Sequence, residues 1–474
     1  MSDFVGREKE LQLLKAHLAD VKKGQSRLLA IRGRRQVGKS RLITEFVRRA
    51  GLPQFFVTGS LQATRREDLA LLVEESVRTS TLPGREVLVG GAPSTWDGAL
   101  RLIAAALPAD GPAIVVMDEL PWFMARDSGL EGALQVVWDR VFELKQVLMI
   151  LVGSDMAMME ALSTYGRPLF GRTRELTIRP FHAADTSAML TNVATPADIV
   201  DLQLVTGGFP RLVQAAVPFA TAAQFVEAQL EDENSGLCAN AARVLEAELP
   251  DASQAGPVLH AIGSGERTFR NIAHRCGLAD QTVQRALGTL LEKRLVARDV
   301  PASVPPSEHP RYRIDDSYLR FWLALIAPGI SEIERGRPDL AKERFASSWS
   351  AWRGRAIEPL IRDALFRLAA TDERLRGAAH VSGWWPRNNN PEVDLVGVDT
   401  WPRPASVCFV GSIKWREESP FTTTDLRALE RDIGAIPGVI VDTPRVAVAR
   451  SRVDAAGLVA YTAADIVSAW RPGT

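Results

Sequence analysis

One octapeptide near the amino terminus constrains this chain more than any other feature. Residues 33–40 read GRRQVGKS, they follow the apolar stretch Leu28–Arg32, and a helical pattern that starts RLITEF comes directly after them. This is the GxxxxGK[ST] pattern in the strand-to-helix context that a phosphate-binding loop requires. A chance match in a turn rich in glycine and arginine is the alternative. Glycines let backbone N–H groups turn toward phosphates, and the amino terminus of the helix adds positive potential.

The loop pattern assigns a role to its polar positions. Lys39 is expected to reach the β- and γ-phosphates of ATP, and Ser40 is expected to hold Mg²⁺. The nucleotide-binding residues predicted in and beside the loop are Gly33, Arg34, Arg35, Gln36, Val37, Gly38, Lys39, Ser40 and Arg41.

Two further strand ends complete the expected nucleotide site. The apolar stretch Ala113–Met117 ends in Asp118 and Glu119, and the stretch Val147–Val152 is followed by Gly153 and Ser154. An acidic pair at the carboxyl end of a parallel strand faces the nucleotide crevice. Asp118 is therefore predicted to join the Mg²⁺ shell, and Glu119 to orient the attacking water. Ser154 is predicted to sense the γ-phosphate or this water, with a simple strand-ending turn as the alternative.

The bulk properties bound the class of protein. A chain of 474 residues is too long for one compact core and suggests two to four domains. The formal net charge is zero, so a globally basic nucleic-acid binder is not indicated. The apolar runs are too short to cross a membrane, and the charged start MSDFVGREKE has no secretory pattern. With three scattered cysteines, the sequence predicts a cytoplasmic protein without a structural metal.

Six motifs in a fixed order give a family resemblance. FVGREKEL, GRRQVGKS, VVMDELPW, LVGSDMAMME, PLFGR and TGGFP together resemble the archaeal-type branch of the prokaryotic STAND-class P-loop ATPases, which are related to AAA+ proteins. The resemblance implies that Phe4, Val5 and Arg7 lie beside the adenine. It also implies that Arg172 is an arginine finger, which neutralises charge on the transferring phosphoryl group. An exposed loop arginine is the alternative, and Arg167 is a rival for the role.

The expected fold class is α/β, and the resemblance divides the chain into four parts. They are a P-loop ATPase core with a mostly parallel sheet at 1–185, a helical lid at 186–250, a winged helix-turn-helix at 251–316 and a restriction-endonuclease-like α/β domain at 317–474. In the lid, the turn Gly207–Pro210 corresponds to a family turn that reads the nucleotide state. Pro210 is thus a predicted nucleotide-binding residue, with a plain helix start as the alternative.

The third part has the order of a helix-turn-helix. ERTFRNIAHRCGL predicts a short helix that ends at Gly277, and a longer helix follows with Gln281, Thr282, Gln284 and Arg285 on its polar face. Residues 264–298 carry seven Lys and Arg against three Asp and Glu, an excess of four. This excess predicts phosphate contacts with double-stranded DNA. A protein-docking spacer is the alternative.

The last part resembles a PD-(D/E)xK endonuclease fold with one departure. Glu358 matches the first acidic position of the family, Asp394 matches the aspartate and Lys414 matches the lysine, but Ser412 stands where a carboxylate is expected. Because a serine hydroxyl is a poor Mg²⁺ ligand, we expect a degenerate site in which Lys414 pairs with Asp394 and Glu358. The alternative is an active metal site in which Glu392 substitutes as a ligand.

These observations predict a switch ATPase that binds ATP and Mg²⁺ and hydrolyses ATP. Its expected output is DNA association or signalling, through a changed disposition of the carboxyl-terminal parts. An ATP-regulated, metal-dependent nuclease and a nucleotide-binding protein scaffold are the alternatives. The protein partner, the oligomeric state and the action of Arg172 in cis or in trans stay open at this stage.

Overall fold

The computed structural model describes residues 4–60, 63–125, 127, 129–193, 195–249, 254–305 and 309–471. The chain divides into two compact units, Met1–Pro180 and Phe181–Thr474. The first unit ends before residue 185, the predicted end of the ATPase core, and the other three predicted parts lie within the second unit. The predicted boundary at 250/251 lies outside the described residues.

The first unit is built on a five-stranded sheet in the order β2-β3-β4-β1-β5, and every neighbouring pair is parallel. This confirms the α/β class and the parallel sheet that the sequence predicts. The strands are β1 Arg27–Arg32, β2 Gln54–Thr58, β3 Ala113–Asp118, β4 Val147–Gly153 and β5 Thr173–Thr177.

Helices cover both faces of this sheet, as a parallel sheet requires. Every residue of the strands β3 and β4 is buried, which explains their uninterrupted apolar sequences. The helices are α1 Glu8–Lys22, α2 Lys39–Ala50, α3 Arg65–Arg78, α4 Arg85–Val89, α5 Trp96–Ala106, α6 Leu120–Met124, α7 Gly129–Arg140 and α8 Met156–Ala161, with a 3-10 turn at Phe142–Leu144.

The second unit begins with helices. Three of their starts are capped by threonine or serine side chains, which accept a backbone N–H of the first turn: Thr195, Thr221 and Ser235. The helices are α9 Ala183–Met189, α10 Pro196–Thr206, α11 Pro210–Ala216, α12 Ala222–Gln229 and α13 Gly236–Glu248.

Three helices and a two-stranded antiparallel sheet follow. The helix α15 ends at Cys276, and Gly277 caps it with a positive φ of 63°, a conformation that glycine adopts without strain. The predicted helix end is therefore confirmed. The elements are α14 Ala255–Gly263, α15 Phe269–Cys276, α16 Asp280–Glu292, β6 Val296–Asp299 and β7 Arg311–Ile314.

The rest of the second unit surrounds a mixed five-stranded sheet in the order β12-β11-β10-β9-β8. The strands β10, β11 and β12 are parallel, whereas β8, β9 and β10 pair antiparallel. The strands are β8 His380–Trp384, β9 Val393–Val398, β10 Val407–Lys414, β11 Arg445–Ala449 and β12 Val459–Tyr461. The helices are α17 Ser317–Phe321, a π-helical segment Trp322–Ile326, α18 Ile330–Glu334, α19 Pro338–Ala356, α20 Glu358–Leu368, α21 Thr423–Ile433 and α22 Ala463–Ser468, with 3-10 turns at Ala327–Gly329 and Glu373–Leu375.

One hydrophobic core joins the predicted lid to the mixed sheet. Val200 and Leu204 of α10 belong to the same buried cluster as Ile361 of α20 and Phe409 of β10. The predicted lid and the carboxyl-terminal sheet are therefore packed as parts of one compact unit. No helix within the described residues is both long and apolar enough to cross a lipid bilayer.

Candidate functional site

The parallel sheet of the first unit brings three predicted segments to one edge. In the pairing of β1 with β4, Arg32 lies opposite Gly153, and in the pairing of β3 with β4, Met117 lies opposite Leu151. The phosphate-binding loop follows β1, the acidic pair ends β3, and Ser154 follows β4. All three segments therefore lie at the carboxyl edge, where doubly wound sheets bind their ligands.

The backbone of the loop has the shape that its glycines allow. A Cβ atom at Gly33 would lie 2.4 Å from the carbonyl oxygen of Ile178, so only glycine fits there. Gly38 has a φ of 89° and stands directly before Lys39, the first residue of α2. This left-handed conformation directs the chain into the helix, whose amino terminus favours anions.

The side chain of Lys39 folds back onto the loop. It is buried, and Nζ donates hydrogen bonds to the carbonyl oxygens of Gly33 and Arg34 at 2.8 and 2.9 Å. A buried ammonium at this loop attracts a phosphate anion, because hydrogen bonds between charged groups are stronger than those between neutral groups.

The acidic pair is held in a defined arrangement. Asp118 is buried, and its Oδ1 accepts the backbone N–H of Glu119 at 2.9 Å. Glu119 has a φ of 51°, which is uncommon for a residue with a side chain. Its carboxylate accepts a hydrogen bond from Oγ of Ser154 at 2.9 Å. The two residues predicted to handle the attacking water are therefore in direct contact.

The amino-terminal segment that is predicted to lie beside the adenine contacts the phosphate-binding loop through Arg7. The guanidinium of Arg7 is buried and donates to the carbonyl oxygen of Val37 at 2.8 Å, and it also pairs with Glu10 at 3.1 Å. Phe4 lies beneath the guanidinium of Arg49, with 5.6 Å between that group and the ring centre. Val5, between Phe4 and Arg7 in the chain, is half-buried.

Trp122 is a neighbour of the loop that the sequence reasoning missed. The guanidinium of Arg35 lies 5.8 Å from the centre of its ring, at the outer limit of a cation–π contact. Trp122 lies in the first turn of α6, three residues after Glu119. Its position just after the acidic pair could have predicted that it lies near the loop. The contact links the loop to the helix that follows Asp118 and Glu119.

The residues present fit a nucleotide with Mg²⁺. Ser40 lies in the first turn of α2 with an exposed side chain, and Arg41 beside it is also exposed. The buried carboxylate of Asp118 and the hydroxyl of Ser40 would hold Mg²⁺, since both are hard oxygen donors of the kind that this ion prefers. When Mg²⁺ is bound, it neutralises charge on the phosphates.

Arg172 lies at the other edge of the sheet. It directly precedes β5, whose first residue, Thr173, is opposite Leu28 near the amino end of β1. Its guanidinium forms two hydrogen bonds with the carboxylate of Asp139, at 2.6 and 2.7 Å. The rival, Arg167, pairs with the buried Glu131. The loop of the same chain is thus not the site that Arg172 faces.

The predicted lid turn is held within the second unit. Gly207 and Gly208 both have positive φ values, and the carbonyl oxygen of Gly208 accepts the N–H of Phe181 at 2.8 Å. Pro210 is the first residue of α11. Its role toward the nucleotide stays a prediction.

The three residues of the endonuclease-like pattern do not form the expected ion pairs. Asp394 accepts hydrogen bonds from Oγ of Ser412 at 2.9 Å and from the N–H of Ile413 at 2.8 Å. Glu358 pairs with Arg362 at 2.9 Å, and burial raises the pKa of its carboxyl although Arg362 opposes the shift. Lys414 forms no hydrogen bond or ion pair within the described ranges. The expectation that Lys414 pairs with Asp394 and Glu358 is therefore wrong for this structure, because other groups hold both carboxylates.

Glu392 does not replace the missing carboxylate either. It forms ion pairs with Arg311 at 2.5 Å and with Arg267 at 3.3 Å. In the part of the chain that the structure describes, no group of three His, Cys, Asp or Glu side chains is arranged to hold a metal ion.

The polar face predicted on the longer helix of the third part is exposed. Gln281, Gln284 and Arg285 of α16 are exposed and Thr282 is half-buried, whereas the apolar positions Val283, Ala286, Leu287 and Leu290 are buried. The helix is therefore free to present Gln and Arg side chains to a ligand.

Comparisons with known proteins place the site in a class. Residues 3–137 match a family described as an AAA ATPase domain, and residues 322–427 match a family described as archaea bacterial proteins of unknown function. A curated relative, the uncharacterized protein MJECL04 of Methanocaldococcus jannaschii, is 22% identical over 434 residues, which cover 91% of each chain.

Two solved structures are similar to parts of the chain. The Walker-type ATPase PABY2304 of Pyrococcus abyssi has 18% identity and a TM-score of 0.49, over 68% of this chain and 96% of that chain. The ORC2 protein of Aeropyrum pernix, in its ADPNP–ADP complexes, has 14% identity and a TM-score of 0.46, over 71% of this chain and 98% of that chain. From the family match at residues 3–137 and the loop described above, the first unit carries a P-loop ATPase domain of the AAA type.

Proposed function

We propose that this protein is a switch ATPase that binds and hydrolyses ATP in its first unit and uses the second unit as its output. The observation that carries the proposal is the hydrogen bond between Ser154 and Glu119 at the same edge of the sheet as Lys39. A carboxylate held next to a phosphate-binding loop is the arrangement that water activation needs.

Each residue of the site has a role in this proposal. Lys39 exchanges the carbonyl oxygens of Gly33 and Arg34 for phosphate oxygens, and Ser40 and Asp118 hold Mg²⁺. Glu119 accepts a hydrogen bond from the attacking water and fixes its direction. Ser154 keeps the carboxylate of Glu119 in place until that water is present.

The second unit is proposed to contact double-stranded DNA through α16. The support is the exposure of Gln281, Gln284 and Arg285, together with the local excess of basic residues. In this proposal residues 254–314 act as a winged helix, and the mixed sheet is a nuclease-like fold without nuclease activity. The hydrogen bond between Ser412 and Asp394 supports the loss of activity, because it occupies a carboxylate that a metal would need.

A metal-dependent nuclease is the second candidate. One observation favours it: the ammonium of Lys414 has no partner within the described ranges and remains available to a phosphate. Plasmid cleavage with Mg²⁺ or Mn²⁺, with and without ATP, tests this candidate beside an Asp394→Ala control. Cleavage that disappears in the control would establish it.

The experiment that tests the ATPase proposal separates binding from turnover. Lys39→Ala should weaken ATP binding by at least about tenfold, because it removes a charge-assisted contact. Lys22→Ala, at an exposed lysine of α1, is the matched control. If calorimetry shows normal ATP affinity for Lys39→Ala, the proposal that this loop binds ATP is wrong.

Glu119→Gln tests the turnover step on its own. It should keep ATP affinity and lower the hydrolysis rate by roughly 10²–10⁴-fold, the usual effect of losing a general base. Glu143→Gln, at an exposed glutamate of the same unit, is the control. Unchanged turnover of Glu119→Gln would reject Glu119, and no turnover in any protein would leave a nucleotide-binding scaffold.

A further inference from the structure

A cavity of about 430 Å³ lies inside the second unit, and no step of the proposed ATPase reaction uses it. Its walls come from α14, the antiparallel strands β6 and β7, α17, the π-helical segment, α19 and α20. All lining residues belong to the second unit, so the cavity is a different site from the phosphate-binding loop. A volume of this size is in the range of small-molecule sites.

The walls of the cavity are strongly basic. Two carboxylates, Asp299 and Glu358, face six guanidinium groups from Arg267, Arg311, Arg313, Arg320, Arg355 and Arg362. Several of these arginines have acidic partners. Arg313 pairs with Asp299, and Arg362 pairs with Glu358.

Arg267 and Arg311 also have a partner, but they share it. Both pair with Glu392, which lies outside the cavity wall. One carboxylate therefore serves two guanidinium groups, and the cavity keeps an excess of positive charge.

Arg320 is the member of this group that most needs an anion. Its only bond within the described ranges goes to the carbonyl oxygen of Ala356, at the end of α19, and its buried Nε has no partner there. The carbonyl dipole at a helix end compensates a cation in part. Burial, together with the charge of Arg313, lowers the pKa of Arg320 to about 10. Arg320 is half-buried, and a guanidinium whose buried Nε lacks a partner is stabilised when a ligand supplies a negatively charged acceptor.

Arg355 gives the cavity a second cation without an acidic partner. It is exposed, it lines the cavity one helical turn from Trp352, and it forms no hydrogen bond or ion pair with any described residue. Arg320 is thus half-buried in the wall and Arg355 is exposed, so both guanidinium groups are available to an anion in the cavity.

The uncharged lining suits a ligand with a planar group. Tyr312 is half-buried in the wall, and Ser347 and Ser348 add hydroxyl groups. Trp352 is half-buried too, but its ring stacks on Trp349 with 5.7 Å between the ring centres. Trp385 also lines the cavity, but its ring already stacks on the guanidinium of Arg311 at 4.2 Å. Half-buried aromatic rings stack on bases, and guanidinium groups bind phosphates in a fork geometry.

We propose that this cavity binds a small phosphorylated ligand of nucleotide size, with Arg320 and Arg355 on its phosphates. A nucleic-acid duplex fits the observations less well. It presents its phosphates on a convex surface, whereas Arg320 lies in the wall of a cavity. A free di- or triphosphate carries enough charge to satisfy both unpaired guanidinium groups.

The test uses the full chain in which Lys39→Ala weakens nucleotide binding at the phosphate-binding loop. Inorganic pyrophosphate and ADP are titrated by calorimetry into Lys39→Ala, and one binding event per chain is expected. Adding Arg355→Gln should weaken that event by roughly ten- to a hundredfold, since a hydrogen bond to a charged group is lost. Arg320→Gln should do the same, and Arg337→Gln, at an exposed arginine of the same unit, should change nothing.

Each outcome decides the proposal. Binding in Lys39→Ala that both Arg355→Gln and Arg320→Gln weaken supports it. If Arg320→Gln does not fold, Arg355→Gln is sufficient for the test, because Arg355 is exposed and its substitution should not affect folding. The proposal is overturned if neither pyrophosphate nor ADP binds to Lys39→Ala, or if Arg355→Gln leaves their affinity unchanged. It is also overturned if only a 5′-phosphorylated oligonucleotide binds. Pyrophosphate titrated into the unmodified chain distinguishes a failure at this cavity from a failure of the ATPase proposal.

Discussion

The hydroxyl of Ser412 donates a hydrogen bond to the carboxylate of Asp394, with 2.9 Å between Oγ and Oδ2. The same oxygen accepts the backbone N–H of Ile413 at 2.8 Å. A carboxylate at position 412 would instead place a like charge against Asp394, which a bound cation or a shared proton would stabilise. The serine therefore holds the carboxylate of Asp394 without the need for a cation.

Ser412→Glu should create a dependence on a cation. We expect it to lower stability in EDTA by about 1–3 kcal/mol, because two carboxylates come together. Mn²⁺ should restore the stability, since a ligand that binds only the folded state stabilises it. Thermal unfolding of nucleotide-free protein with EDTA or Mn²⁺ measures both effects. Ser451→Glu, at an exposed serine of the same unit, is the control, and equal melting temperatures in both buffers would contradict the prediction.

The first unit was predictable because its signals are local. The loop at residues 33–40 carries its own strand and helix, and Gly33 and Gly38 fix the backbone through sterics within a few residues. The strands β3 and β4 are predictable because each is a continuous apolar stretch of sequence. What the sequence did not reveal is the contact of Ser154 with Glu119, because it depends on which strands are neighbours.

The second unit was harder to predict because its decisive contacts are remote in sequence. Asp201 of α10 bonds to Arg353, Trp415 and Arg450, which lie 152 to 249 positions further along the chain. No local pattern carries such information. The partner of Lys414 was predicted wrongly for a related reason. The backbone N–H of Ile413 donates to Asp394, and a sequence motif, which specifies side chains, does not predict such a backbone hydrogen bond.

The buried Asp201 holds the predicted lid to the carboxyl-terminal part. It pairs with the buried Arg353 at 2.7 Å and with Arg450 at 3.1 Å. Arg353→Met removes one of the two cations beside the buried carboxylate of Asp201, so it should cost about 1–3 kcal/mol of stability. Urea unfolding of the second unit measures this cost. Asp201→Asn combined with Arg353→Met should recover part of the loss, and a loss below about 1 kcal/mol would show that Arg450 compensates the charge alone.

Arg172 lies at the opposite edge of the sheet from the phosphate-binding loop of its own chain. Gly33 follows the carboxyl end of β1, whereas Arg172 precedes the amino end of β5, and the strand between these edges spans about 13 Å. Beside it, Tyr165 and Phe170 form an exposed aromatic pair, and exposed apolar groups of this kind mark contact surfaces.

Mixing two inactive variants tests the action of Arg172 in trans. Arg172→Ala keeps its phosphate-binding loop and Lys39→Ala keeps its arginine, so neither should hydrolyse ATP alone. Their mixture should regain a fraction of the turnover, since an arginine finger contributes roughly 10³–10⁵ in rate. A mixture that stays inactive, or an Arg172→Ala protein with normal turnover, would contradict the prediction. Arg140→Ala, at an exposed arginine of the same unit, is the control.

Arg285 tests the DNA contact that is proposed for α16. It is exposed on the polar face of the helix, so Arg285→Glu should change binding without changing the fold. We expect the affinity for double-stranded DNA to fall and its dependence on salt to become weaker, because fewer counterions are released. Fluorescence anisotropy at two salt concentrations measures both. Arg337→Glu is the control, and a DNA affinity that does not depend on salt would favour a protein-docking role.

Asp68 gives the first unit a dependence on pH. Its side chain is buried in the first turn of α3, and its Oδ1 has no hydrogen-bond partner within the described ranges. Burial, together with the charge of Glu67, raises the pKa of its carboxyl from 3.8 to about 6. The folded state therefore holds this proton more tightly than the unfolded state, so stability falls as pH rises from about 4 to 6 and then stays level.

Asp68→Asn should remove that fall. The variant cannot ionise at this position, so relative to the unmodified chain it should gain about 1–3 kcal/mol at pH 7.5 and gain little at pH 4. Denaturant unfolding of the first unit at the two pH values measures the difference. Asp97→Asn, at an exposed aspartate of the same unit, should show no such gain. An equal effect of Asp68→Asn at both pH values would mean that the carboxyl ionises alike in the folded and unfolded chain.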